Sequence, residues 1–282
     1  MEQRRWREER AETPLAALGA TVTGTGTGAG TETGTGRLHW PWSPPSFSSP
    51  QHWHVRTLLQ EYLTGMALLA GLSPTPIVAI FGSARTTLDH PHYRAAYETA
   101  RLLAQAGFAI ITGGGPGIME AANRGAREGG ARSIGLPIRL AREERPNAYL
   151  DVAIPFTQFA PRKAAFLAAA SAFVIFPGGL GTLDELFEAL CAMQAGHLAR
   201  LPLILYGSAF WDGLIAFLRE RLAQAGLIDA SDLHLLAVAD APAEAVSLVA
   251  GAHVVAEAEP ATEPLSPLRQ QQGQEQEQEV AL

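Results

Sequence analysis

Two glycine-rich stretches in this chain could offer bare backbone N–H groups to an anion. Pro177-Gly178-Gly179-Leu180-Gly181-Thr182-Leu183-Asp184-Glu185 follows the apolar run from Ala172 to Phe176 and opens a helical pattern. Thr112-Gly113-Gly114-Gly115-Pro116-Gly117-Ile118-Met119-Glu120 follows Phe108-Ala109-Ile110-Ile111 in the same way. A strand that passes through a flexible turn into a helix aims unpaired N–H groups and the positive helix end at one point, an arrangement that holds phosphate. Two such turns imply a phosphorylated ligand gripped between strand ends; the alternative for either is a tight turn with no ligand. The spacing does not match a dinucleotide fingerprint, because Ile118 and Asp184 stand where its third glycine would be. Nor does either turn carry the Gly-Lys-Ser/Thr ending of a nucleoside triphosphate loop.

The side chains around these turns supply the chemistry. Glu185 falls in the first turn of the helix that Gly181-Thr182 begins, where the helix dipole favours an ionised carboxylate. Asp184 is rotated by about 100° from it, so the two acids should not serve one spot. Arg162 and Lys163 open the helix that leads into the strand before the second turn, so one structural unit can bring Arg162 and Glu185 to one crevice. Read alone, such a basic pair is most often a solvated surface feature and an acid like Glu185 most often a plain N-terminal helix acid. Ser83 and Arg85 follow the first strand and are candidate nucleotide contacts; alternatively Ser83 caps the turn and Arg85 pairs with an acid. Met119 either flanks a base or packs in the core, and Glu120 is a candidate for contact with ribose hydroxyls.

The elements that must position these residues are legible from periodicity. Val55, Leu58, Leu59, Tyr62, Leu63, Met66 and Leu69 recur at helical spacing, which predicts a helix over 52–70. Strands are expected at 77–81, 108–112, 132–136, 150–154, 172–176, 202–206 and 235–238. Helices are expected at 91–106, 117–128, 160–170, 181–195, 209–224 and 242–250. Strands apolar along their whole length, alternating with helices, predict an α/β fold: a Rossmann-like, doubly wound parallel sheet of about seven strands with helices on both faces. Ligands of such sheets settle at the carboxyl ends of the strands, where both glycine turns fall.

The 282 residues, 47% of them apolar, suffice for one substantial core. From Thr21 to Gly36 the chain is nearly all Thr and Gly, and Pro41 to Pro50 is rich in Pro and Ser, so residues 1–50 are expected to be disordered. The folded domain is expected over 51–255, and the Glu-, Pro- and Gln-rich stretch 256–282 is expected to be a disordered tail. A net charge of −7 disfavours nucleic acid as a partner. Cys191 is the only cysteine, which excludes an internal disulfide framework and multi-cysteine metal clusters and points to a reducing compartment, by expectation the cytoplasm. No run reaches the ~18 apolar residues of a membrane span, and the N-terminal residues lack the apolar core of a signal peptide. Neither His52/His54 nor His90/His92 has metal-binding helical spacing, so no metal and no cofactor are expected.

Taken together, these residues resemble the Lonely Guy (LOG) family of nucleoside 5′-monophosphate phosphoribohydrolases, long mislabelled lysine decarboxylases. The resemblance runs from about Trp53 to Val246. Phe81-Gly82-Ser83-Ala84-Arg85-Thr86, the Gly113–Asn123 loop and helix, Arg162-Lys163, the nine-residue signature Pro177–Glu185 and Phe210-Trp211-Asp212-Gly213 carry it. It implies hydrolysis of the N-glycosidic bond of a nucleoside 5′-monophosphate, such as AMP or a cytokinin riboside monophosphate, to free base and ribose 5-phosphate. It further implies Arg162 and Glu185 as the catalytic pair, Lys163 as a substrate contact, and Gly179, Gly181 and Thr182 as the phosphate site. Ser83, Gly114, Gly115, Gly117 and Gly178 complete the expected substrate contacts, and a homodimer or larger assembly is expected. The chain departs from many relatives at Cys191, where they carry Thr, at Ala160-Pro161 before the basic pair, and at Leu180; all three are expected near the base or ribose. Two other readings stand beside this one. A non-catalytic nucleotide or molybdenum-cofactor carrier would use the same fold, and a pyridoxal-dependent decarboxylase would have to use Lys163, the only lysine in the chain.

Overall fold

The computed structural model describes residues 55–72, 75–139 and 146–258. The expected disordered segment 1–50 and the tail beyond 258 lie outside the described residues. The elements in chain order are α1 (Val55–Ala70), β1 (Ile77–Phe81), α2 (Pro91–Gln105), β2 (Ala109–Thr112), α3 (Ile118–Glu128), β3 (Ser133–Gly135) and β4 (Val152–Ala153). There follow α4 (Phe159–Ala169), β5 (Ala172–Ile175), α5 (Leu180–Gln194), β6 (Leu203–Tyr206), α6 (Ser208–Phe217), β7 (Ala237–Ala239) and α7 (Pro242–Ala258). The helix predicted over 209–224 changes character: α6 passes into a π-helical turn at Leu218–Ala223. Leu235 belongs to a 3-10 turn, Ala230–Leu235, so the last strand starts two residues later than predicted. α7 extends to Ala258, past the predicted boundary at 255.

The seven strands form one sheet in the order β4-β3-β2-β1-β5-β6-β7, and every pair is parallel. The predicted α/β architecture is therefore present. Alternation along the strands divides the core. Val78, Ile80, Ile110, Val174 and Ile204 pack under α2, α3 and α7 through Tyr93, Leu103, Ile118, Ala122 and Val249. Ala79, Phe81, Ile111, Phe173, Ile175 and Leu205 point the other way and meet Leu69, Phe166, Leu186, Met193 and Trp211 of α1, α4, α5 and α6. Strands buried on both faces have no polar side to show, which is why they read as unbroken apolar runs. None of the described helices is long and apolar enough to cross a membrane.

Chain order reverses between β1 and β5: β2, β3 and β4 extend the sheet on one side, β6 and β7 on the other. Their neighbouring carboxyl ends, in register at Phe81 and Ile175, splay the following loops apart and leave a crevice.

Candidate active site

That crevice has a volume of about 620 Å³, within the usual range for a small-molecule site. Three loops form its rim, and they are joined at Ser83. The Ser83 N–H donates to the Pro177 carbonyl at 3.1 Å, and the Ser83 carbonyl accepts from the Ile118 N–H at 3.1 Å. Ser83 Oγ accepts from the Arg85 N–H at 3.1 Å, the turn-capping alternative, while both residues also line the crevice.

The two glycine turns take different parts. In the Gly178–Thr182 turn, Gly179, Gly181 and Thr182 line the crevice, and α5 starts at Leu180 without a side-chain cap on Gly179. The first intrahelical donor is Leu183, whose N–H meets the Gly179 carbonyl at 3.0 Å. The N–H groups of Leu180, Gly181 and Thr182 have no intrahelical acceptor. Gly178 lies behind the rim with its Cα against the Thr182 side chain.

In the Gly113–Gly117 turn only Gly113 reaches the crevice. The backbone of Gly114 and Gly115 is engaged from behind. Thr112 Oγ1 accepts from the Gly114 N–H at 2.9 Å, the Gly114 carbonyl accepts from the Asn147 N–H at 2.8 Å, and the Gly115 carbonyl accepts from Asn147 Nδ2 at 2.9 Å. Buried Asn123 completes this network, accepting from Thr112 Oγ1 at 2.6 Å and donating to Ser133 Oγ at 2.9 Å. Gly117, at φ +68, brings its Cα so close to the Ser83 carbonyl that a side chain there would collide with backbone. This turn buttresses the loop after β1, a role that its resemblance to the other turn concealed in the sequence.

Arg162 and Glu185 meet on the floor, Nη1 to Oε1 at 3.7 Å, with side chains only 11% and 9% exposed. Arg162 Nε donates to the Leu136 carbonyl at 2.7 Å, and the guanidinium lies 5.1 Å from the centre of the Phe166 ring. Gly113 gives this group its room: a Cβ there would stand 2.5 Å from an Arg162 nitrogen and 2.7 Å from the Met119 sulfur. The helix carrying Arg162 is held at its start from a distant element. Glu61 of α1 accepts from the Thr157 N–H and hydroxyl and from the Gln158 N–H, at 2.9, 2.5 and 3.1 Å. Nothing in the local sequence announces that contact.

Burial decides the charge state of Glu185. Loss of water raises its pKa from 4.5 to about 7, and the Arg162 guanidinium only partly opposes this. This reverses the expectation that Glu185 stands in the first helical turn with its carboxyl kept ionised by the dipole: α5 starts at Leu180, so Glu185 falls in the second turn, beyond the reach of the dipole, and its side chain is buried. The same desolvation lowers the pKa of Arg162, with Glu185 as the opposing influence.

Lys163 does not line the crevice. It faces α5 and pairs with Asp184 at 3.0 Å and Glu188 at 3.4 Å. Met119, half-buried, is on the crevice wall; Glu120 turns away to accept from the Tyr93 hydroxyl at 3.3 Å. Of the three departures, Leu180 is at the mouth of the crevice, 86% exposed; Ala160 and Pro161, contrary to expectation, do not line it, although Phe159 just before them, 50% exposed, does. Cys191 is elsewhere, contrary to expectation: it is exposed, in an apolar groove with Phe187, Leu190, Leu218 and Leu222. Six residues along α5 from Glu185 turn it away from the crevice face.

The chain is similar to several known proteins. A family model described as "Possible lysine decarboxylase" matches residues 119–249. A probable cytokinin riboside 5′-monophosphate phosphoribohydrolase of Oryza sativa subsp. japonica is 30% identical over 168 residues, covering 58% of this chain and 74% of that protein. A pyrimidine/purine nucleotide 5′-monophosphate nucleosidase of Escherichia coli (strain K12) is 32% identical over 175 residues, covering 58% of this chain but only 38% of that longer protein. Among solved structures, the molybdenum cofactor binding protein of Rippkaea orientalis is similar at 23% identity and a TM-score of 0.49, covering 64% of this chain and 98% of that one. On the first of these relatives and the family model, the chain belongs to the LOG family.

Proposed function

We propose that this protein hydrolyses the N-glycosidic bond of a nucleoside 5′-monophosphate, releasing the base and ribose 5-phosphate. One observation carries the reading: a buried guanidinium–carboxyl pair sits in the same crevice as an uncapped helix N-terminus. The N–H groups of Leu180, Gly181 and Thr182 bind the 5′-phosphate, aided by the positive end of α5. The sugar then extends across the crevice toward Glu185. Departure of the base builds positive charge at C1′, and ionised Glu185 stabilises that centre or orients the attacking water. Arg162 keeps its proton at any working pH, so it fixes geometry and holds Glu185; it is a poor proton donor to the leaving base, which is protonated by water or another group. Ser83 and Gly113 border the nucleotide, whereas Gly114, Gly115, Gly117 and Gly178 support the binding loops from behind.

The decarboxylase reading loses support from Lys163. Its partial burial disfavours the charge, but the Asp184 hydrogen bond and the Glu188 and Asp184 charges prevail and hold its pKa above the usual lysine value. A Schiff base needs the neutral amine, and this amine is directed at two acids instead.

The test is incubation with AMP, other nucleoside 5′-monophosphates and isopentenyladenosine monophosphate, followed by assay of free base and ribose 5-phosphate. Release from at least one nucleotide is expected; absence of release from all of them at pH 6 to 9 would reject the reading. Gly113→Ala gives a second check. Its new methyl meets side-chain ends, the Arg162 guanidinium and the Met119 sulfur, rather than backbone, so the fold should persist. Arg162 must move, however, and displacement on the scale of an ångström should lower kcat about 10- to 100-fold. Undiminished kcat would mean that the guanidinium position does not matter.

A further inference from the structure

Lys163 adjoins Arg162 in sequence yet addresses a different set of groups. Its ammonium lies 3.0 Å from Asp184 Oδ1 and 3.4 Å from Glu188 Oε2, and its side chain is only 19% exposed. Those two acids occur one residue before and three residues after Glu185 on α5. Each negative charge opposes ionisation of a carboxyl so near, and partial burial preserves the interaction that water would otherwise screen. Asp184 is half-exposed, but Glu188 is more enclosed; burial raises its pKa and the Lys163 charge pulls it back.

We infer that Lys163 is a positioning residue for Glu185: by pairing with Asp184 and Glu188 it neutralises the two carboxylates that flank the reactive one, without touching the nucleotide. The inference rests on the reading of Glu185 as the reactive carboxylate. The charged groups around Glu185 are Arg162 and Lys163 from α4, Asp184 and Glu188 from α5, and Arg85 across the crevice from the loop after β1. Without Lys163, two carboxylates would face Glu185 with Arg162 as the nearest opposing charge. Glu185 would then hold its proton to higher pH. An arginine at 163 would preserve the compensation, because only a positive charge between the two acids is required.

The experiment compares the unaltered protein with Lys163→Met and Lys163→Arg in two ways. One is the pH profile of kcat and KM for AMP. The other is a carbon-13 titration of the Glu185 carboxyl in ligand-free protein labelled at glutamate side chains, assigned through Glu185→Gln. Lys163→Met should raise the Glu185 midpoint by about half to one pH unit and lower kcat at pH 6 about three- to tenfold, with KM within about twofold. Lys163→Arg should restore the original midpoint. An unmoved midpoint overturns the inference, and a tenfold rise in KM would make Lys163 a ligand contact instead. If no form cleaves nucleotide, the proposed reaction fails, while the carbon-13 midpoint still decides the electrostatic role of Lys163. If Lys163→Met does not fold, Asp184→Asn/Glu188→Gln leaves the ammonium unopposed and must lower the midpoint; no change would overturn the inference.

Discussion

Glu185→Gln is expected to lower base release by about 10³-fold or more and, at the same time, to make the protein harder to unfold in alkaline solution. The first effect follows from removing the buried carboxylate placed to face a developing cation; Asp184, contrary to expectation, lines the same crevice, but it is half-exposed and paired with Lys163. The second follows from the proton balance. Folding raises the Glu185 pKa from 4.5 to about 7, so between those values the native state binds more protons than the unfolded chain. Stability from this group is therefore fully present below about pH 4.5, declines as pH rises toward 7, and is level above it. The full decline amounts to about 3 kcal/mol at most. Gln carries no charge to desolvate, and the rise to about 7 already includes the attraction of Arg162, so a net gain of about 2–3 kcal/mol at pH 8 and less than about 1 kcal/mol at pH 5 is expected. Urea unfolding at the two pH values measures it. Equal stability of the two proteins at pH 8 would contradict the burial argument, and retained hydrolysis would remove Glu185 from the reaction.

Arg162→Ala should be nearly as damaging, for a different reason. The substitution leaves Glu185 buried without its close cation. Its proton would then be held above pH 7, and the fraction of ionised carboxylate at neutral pH would fall about five- to tenfold for each unit of displacement. Loss of the guanidinium that fixes the floor of the crevice adds a geometric defect. Together these predict a fall in kcat/KM of about 10²- to 10³-fold at pH 7, partly recovered at pH 9. Lysine should not substitute, since a single ammonium cannot reproduce a planar group that donates to the Leu136 carbonyl, lies on Phe166 and points at Glu185. The rate–pH profiles of both variants are the check. A profile that keeps its shape while its height drops would assign Arg162 to the substrate alone.

Much of this fold was legible in the chain because burial on both faces leaves a simple signature. β1, β2, β5 and β6 are short and wholly apolar, and each lies within a residue of its expected position. The meeting of Arg162 with Glu185 was also foreseeable, because the helix–strand–turn order between them leaves few alternatives. Other features depend on contacts that span the sequence. Glu61 anchors Thr157 and Gln158, and Asn147 ties down the first glycine turn, but neither pairing follows from spacing. The two glycine turns look alike because both must bend a strand end into a helix; which one faces the crevice depends on neighbours such as Thr112, which accepts from the Gly114 N–H and is itself held by Asn123. For Glu185, position along the helix suggested a low pKa, while its inward orientation, known only from packing, determines a high one.

The Glu61 contact bears on where the smallest active unit must begin. A chain trimmed to start at Pro76 would retain every strand of the sheet, both glycine turns and the guanidinium–carboxyl pair. It would nevertheless lack the carboxylate that moors three donors at the head of α4. Trimming there thus takes away the mooring of the helix that carries Arg162 without removing a single strand.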